Sequence, residues 1–222
     1  MRLKIITVIL VLFFAFAQYW GLKIAPPDRM MGDIYRILFV HVPSAWNAML
    51  LFTASFVFSL LYLISKKQKW DFWNEGVTEV GLVLTGLALA LGSLWGRPTW
   101  GIWWTWDPRL TATAVLFILY AGVLLFRRFL EDPITRAKIG SILSLFVYIN
   151  VPIVYLSVKW WRSLHQVQSS PQTMAPEMIL PLRLNALAIL GIALFFVYWR
   201  VQLARHRAAR EEAESKPPGG SL

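Results

Sequence analysis

Six apolar runs, each near the length of a membrane crossing, constrain this chain more than any other feature. Crossing the hydrocarbon takes about 20 helical residues at 1.5 Å each, and the runs fall at Ile5 to Trp20, Trp46 to Ile64, Val77 to Trp95, Leu110 to Phe126, Ile139 to Val158 and Leu182 to Trp199. In lipid every backbone polar group must be satisfied within its own segment, so runs of this length are helices. The expectation is an all-α membrane protein: a bundle of six transmembrane helices forming one domain over 1–200, followed by a basic, disordered tail over 201–222. The first run follows Arg2 and Lys4 as a secretory signal would. It lacks a small-x-small cleavage site and continues into Gln18, Tyr19 and Trp20, so it is read as a retained helix.

Charge gives the orientation. The chain carries a net charge of +10, which in a soluble protein would suggest nucleic acid; here the basic residues sit in short loops and the tail beside apolar runs, so no nucleic-acid partner is expected. With six crossings both termini share one side, and that side holds fourteen of the 22 basic residues, including Lys66, Lys67, Lys69, Arg127, Arg128, Arg136 and the arginines from Arg200 on. The positive-inside rule makes this side cytoplasmic. Three segments then face outward, about 21–45, 95–110 and 159–181, and nine of the twelve tryptophans lie at or beyond the outer helix ends. Membrane anchoring uses both interfaces about equally and does not require that asymmetry.

Five of these tryptophans lie in WGRPTWGIWWTWDPRLT: Trp95, Trp100, Trp103, Trp104 and Trp106, with Arg97, Asp107 and Arg109 among them. Indoles cost little rotamer entropy to immobilise, so the run reads as a rigid platform for something flat. Two of the three histidines, His41 and His165, stand at outer helix ends on either side of it. One interfacial histidine reads as a wet hydrogen-bonding residue; two beside an aromatic cluster can ligate a metal from opposite sides. If KWWRSLHQ continues the fifth helix, His165 shares a face with Trp161 and Arg162. Asp107, ahead of Pro108, reads as a helix cap, with orientation of a tryptophan N–H or an arginine as the alternative. Pro43 and Pro152 are expected to bend their helices.

A porphyrin matches this set: its apolar plane stacks on indole, its iron takes imidazole, and its propionates pair with cations. Arg36, Arg97, Arg109, Arg162 and Lys159 are available, each also suited to lipid headgroup contact. The absence of cysteine excludes disulfides, thiolate metal sites and covalent haem attachment through Cys-x-x-Cys-His. There is no Walker loop, dinucleotide fingerprint or serine elbow, so any energy must come from a partner. Two other readings stay open. A b-type electron-transfer protein would place its histidines within helices at matched depth, and a small-solute permease would show polar residues near the midplane, where Asn150 is a lone candidate.

WGRPTWGIWWTWDPRLT resembles the tryptophan-rich "WWD" signature of the haem-handling proteins of cytochrome c biogenesis. GDIYRILFVHVPSAW and VKWWRSLHQ resemble, in order and spacing, the two histidine regions of the haem exporter protein C (CcmC) family. The similarity spans roughly Pro26 to Pro181. It implies a bacterial inner-membrane protein that holds non-covalent b-type haem at its periplasmic face, with His41 and His165 as axial ligands and Trp100 to Asp107 as the platform. It further implies presentation to a membrane-anchored, CcmE-like haem chaperone, working with CcmA-, CcmB- and CcmD-like subunits of an ABC-type complex. Pro108 stands where the family's usual WDARLT has alanine, and Lys159 replaces an acid seen in some members.

Overall fold

The computed structural model describes residues 2–165 and 174–215, and apart from an isolated bridge between Asp28 and Gly32 their regular structure is helical. The helices are α1 (Arg2–Tyr19), α2 (Leu38–Ser65), α3 (Gln68–Trp100), α4 (Pro108–Arg128), α5 (Pro133–Tyr148), α6 (Asn150–Trp160) and α7 (Pro176–Ser215), with a π-helical turn at Trp20–Ile24 and a 3₁₀ turn at Asp33–Ile37. Six spans are long and apolar enough to cross a membrane, α5 and α6 together forming the fifth. The division falls at Ile149 because Pro152 has no N–H for the Tyr148 carbonyl, so the expected bend lies one turn before the proline. Pro43, by contrast, lies inside α2, which continues through it.

The helices extend well beyond the apolar runs. α2 begins at Leu38, which places His41 inside the helix rather than ahead of it. α3 continues to Trp100 and closes on Gly101, whose φ of 78° is the left-handed conformation glycine supplies at a helix end. The tail read as disordered from residue 201 is helical through Ser215; residues 216–222 lie outside the described residues. The charges that suggested disorder are used in ion pairs: Arg200 with Glu79, Arg207 with Glu75 at 3.2 Å, and Arg136 with Glu211 at 3.0 Å.

α2 packs along α3, α7 lies against both, α4 packs on α5 and α6, and α1 docks on α7. Phe52 and Tyr120 stack at 3.8 Å in the centre, and Gly81 makes the room: a Cβ there would lie 2.9 Å from the Phe52 ring. α1 is tied in by Gln18, which donates to Asn185 Oδ1 at 2.7 Å, while Asn185 Nδ2 donates to the Ala17 carbonyl at 2.9 Å. Near the termini, buried Arg127 of α4 makes a two-point contact with Asp71 of α3 at 2.8 and 2.9 Å. Its guanidinium passes directly over Gly140 of α5, where any Cβ would collide with Nη1. Gly140→Val should therefore cost about 1–3 kcal/mol of stability through overpacking; an unchanged thermal unfolding midpoint in detergent would show that Arg127 has another place to go.

Candidate functional site

His41 projects from α2 onto α3 at Gly92, where a Cβ would come within 3.1 Å of its Cε1. Its Nδ1 lies 2.9 Å from the Ala88 carbonyl oxygen. A carbonyl only accepts, so Nδ1 carries the proton and Nε2 keeps its lone pair. Gly92 and Ala88 are a small-residue pair at i, i+4 spacing on one face of α3. That spacing is the signal by which sequence reading, which missed both residues, would have found them.

His165 reaches the same region by another route. α6 stops at Trp160 and Trp161 is extended, with φ −128° and ψ 158°, so KWWRSLHQ does not continue as a helix and His165 shares no helical face with Trp161 and Arg162. The chain turns instead over the start of α4, where Asp107 gathers it. Asp107 Oδ2 accepts the Leu164 N–H at 2.7 Å, and Oδ1 accepts from His165 Nδ1 at 3.0 Å. Oδ1 also caps α4 through the N–H groups of Arg109 (3.0 Å) and Leu110 (3.3 Å). The capping role is thus present, together with an orienting one aimed at a histidine rather than at a tryptophan or an arginine.

The charge states follow. Burial works against the Asp107 carboxylate, but hydrogen bonds from Ser163 and Leu164 and the nearby imidazole outweigh it and hold its pKa below the usual value. Burial also lowers the His165 pKa, with Arg109 adding to the effect and Asp107 opposing it. His165 is accordingly a neutral ring at neutral pH with its proton on Nδ1, and like His41 it keeps Nε2 unprotonated. Both imidazoles have the oriented, backed arrangement found in metal-ligating histidines.

A series of rings joins them: His41 to Trp95 at 6.5 Å, Trp95 to Trp100 at 5.7 Å, and Trp100 to His165 at 5.3 Å between centroids. His41 and His165 line one cavity of about 60 Å³, together with Arg109, Leu110 and residues of α2, α3, α4 and α6. Trp95 Nε1 is buried without a hydrogen-bond partner among the described residues. The five indoles do not form one flat shelf. Trp95 and Trp100 stand between the histidines, whereas Trp103, Trp104 and Trp106 are 56%, 36% and 81% exposed, with Trp104 and Trp106 edge to face. After Gly101 the chain leaves the helix, and its side chains turn outward.

The predicted cations also separate. Arg109 lines the cavity. Arg36 is held by Asp33 at 2.7 Å and by the Gly21 carbonyl at 3.1 Å, Arg97 donates to the Gly101 carbonyl, and Arg162 is exposed in the turn before His165. Asn150, the candidate for a permease's polar midplane, donates to the Ala112 carbonyl at 3.0 Å and so bridges α6 to α4. Residues 166–173 of the third outer segment lie outside the described residues.

Asp107→Ala should lower stability by about 1 kcal/mol through loss of the cap, whereas Asp107→Asn, an equally good cap, should not. Both should weaken a ligand held by His165, alanine by about 10- to 100-fold and asparagine by less, because the amide oxygen still accepts from Nδ1. Equal binding in both variants would separate Asp107 from the histidine's work.

Fold and site together define a class: a polytopic helical membrane protein with two oriented imidazoles and a tryptophan wall at one end of its bundle. Comparison with known proteins narrows this. Residues 1–216 match the family model described as "Heme exporter protein C". The chain is 35% identical over 83% of its length to "Heme exporter protein C" of Bradyrhizobium diazoefficiens, covering 72% of that protein, and 34% identical over 82% to that of Escherichia coli K12, covering 75%. It is also 38% identical over 71% of its length to a "Putative cytochrome c biosynthesis ccmC-like mitochondrial protein" of Marchantia polymorpha, covering 67% of that protein. The chain belongs to the heme exporter protein C family.

Proposed function

We propose that this chain holds haem at the histidine end of its bundle and presents it to a membrane-anchored, CcmE-like haem chaperone during cytochrome c maturation. The observation that carries the reading is that two imidazoles, each with Nδ1 donated to a fixed acceptor and Nε2 unprotonated, line a single cavity. Zinc takes four protein ligands, or three and a water, and among the described residues no group of three or more metal-ligating side chains occurs. Two imidazoles suit a metal whose remaining ligands come from a macrocycle, as in haem.

The family's name, heme exporter, agrees with this cargo. Without cysteine the chain offers no thioether linkage, so the haem is of b type and leaves intact. Arg109 lines the cavity and is placed to pair with a propionate, and Trp95 and Trp100, which meet the rings of His41 and His165, offer apolar faces between the two imidazoles. A cavity of about 60 Å³ holds a few waters and no macrocycle. The ring therefore enters by parting the turn that carries His165 from α2, with His41 staying on its helix. In this reading the histidine end faces the periplasm of a bacterial inner membrane with both termini in the cytoplasm, which the positive-inside count supports, and CcmA-, CcmB- and CcmD-like subunits supply the ATP-driven step.

The full-length protein, purified from haem-replete membranes, should show the absorption spectrum of a six-coordinate, bis-imidazole haem. A colourless preparation from cells making ample haem, or a spectrum of five-coordinate iron, would overturn the proposal.

A further inference from the structure

At the opposite end of the bundle two cavities join. One is a furrow of about 610 Å³ running along α3 and α7, walled by apolar residues such as Val83, Leu87, Ile192 and Phe196. Val83 and Phe196 are exposed along it, so the furrow opens sideways into the surroundings of the bundle. The other is a chamber of about 470 Å³ lined by Arg127, Arg128, Arg136, Arg200 and Arg207 with Glu75 and Glu79. Arg128, Arg200, Glu79 and Leu124 line both, so an apolar trough leads directly into a charged head space.

The chamber's arginines use four carboxylates in ion pairs, Asp71, Glu75, Glu79 and Glu211. Those pairs engage Arg127, Arg136, Arg200 and Arg207, and Arg128 is the chamber arginine with no ion pair among the described residues. Arg128 is exposed at the last residue of α4, where a crossing helix meets the headgroup level. A basic pocket between helices at the cytoplasmic end of a bundle is the arrangement that recognises anionic lipid headgroups.

From this junction we infer a site for one anionic phospholipid carrying a single phosphodiester charge. An acyl chain lies in the furrow between α3 and α7, and the phosphate sits at Arg128 and Arg200, where one negative charge gives Arg128 its partner. A partner's transmembrane helix would fill the furrow but has no reason to place an anion at its end. The inference stands on the bundle and its charge, independently of what the histidine end binds.

The test uses the full-length protein in mild detergent, offered phosphatidylglycerol or phosphatidylcholine with identical chains, and native mass spectrometry to count retained lipids. One phosphatidylglycerol should be retained with a preference of about tenfold, set by the charge of the head alone. Arg128→Gln should abolish the preference; Val83→Trp, an exposed position that fills the trough, should reduce retention while leaving every arginine in place. Thermal unfolding midpoints near the parent's show that both variants fold. Equal retention of the two lipids, undiminished phosphatidylglycerol in both variants, or a copurifying helix seated in the furrow in place of lipid would each overturn the assignment.

Discussion

Haem retention will fall by more than about 100-fold in His41→Ala and in His165→Ala, while both proteins remain folded. A residue that merely backs a metal-bound histidine costs about 10- to 100-fold when removed, so loss of the ligand itself must exceed that. The two variants fail for different local reasons. In His41→Ala the space over Gly92 empties and the Ala88 carbonyl loses its donor. In His165→Ala the Asp107 carboxylate keeps its three backbone donors, Arg109, Leu110 and Leu164, so the turn and the α4 cap persist. Stability should therefore drop by no more than about 1–3 kcal/mol in either case, the cost of one unsatisfied buried group. Free imidazole added to either variant should restore part of the six-coordinate spectrum, because the cavity left is the shape of the ring removed. Haem content at the parent's level in both variants would end the ligand assignment.

The largest effect on stability is expected at the other end of the bundle. Arg127→Ala should cost about 3–5 kcal/mol, the range for breaking a buried ion pair from one side. Asp71 is 2% and Arg127 4% exposed, and they meet through two hydrogen bonds. Without the guanidinium, Asp71 is left as a buried charge between α3 and α5. Against a total of about 5–15 kcal/mol for an ordinary domain, that is a fifth of the stability or more. The double replacement Asp71→Leu with Arg127→Met should recover most of the loss, since a buried pair exchanged for packed apolar groups is often neutral. Recovery is read from the unfolding midpoint in detergent. A single variant as stable as the parent would mean that water reaches Asp71.

Much of this molecule is legible in its sequence because the bilayer imposes a length. The six apolar runs became the middles of six spans, and the bend near Pro152 follows from one missing N–H. The helix ends were under-read, because hydropathy marks where lipid stops and not where hydrogen bonding stops. Leu38 to Ala45 extends α2 beyond its apolar run, and the stretch from Arg200 to Ser215 stays helical through ion pairs to Glu75, Glu79 and Arg136 on other helices. At the site, both histidines were named from their position at outer helix ends, and Asp107 as a cap from its place before Pro108. The bond from Asp107 to His165 spans 58 residues and depends on α6 stopping at Trp160, which no local pattern announces. Nor does a run of indoles disclose which rings turn inward, since that depends on where α3 closes at Gly101.

The bifunctional carboxylate at residue 107 has a mechanical consequence. It is both the first hydrogen-bond acceptor of α4 and the clasp for the loop bearing His165, and three exposed indoles stand just before it in the chain. A displacement of those indoles is therefore carried along the chain to the one side chain that fixes both the start of α4 and the His165 ring. The position of that imidazole and the exposed surface beside it are mechanically a single unit.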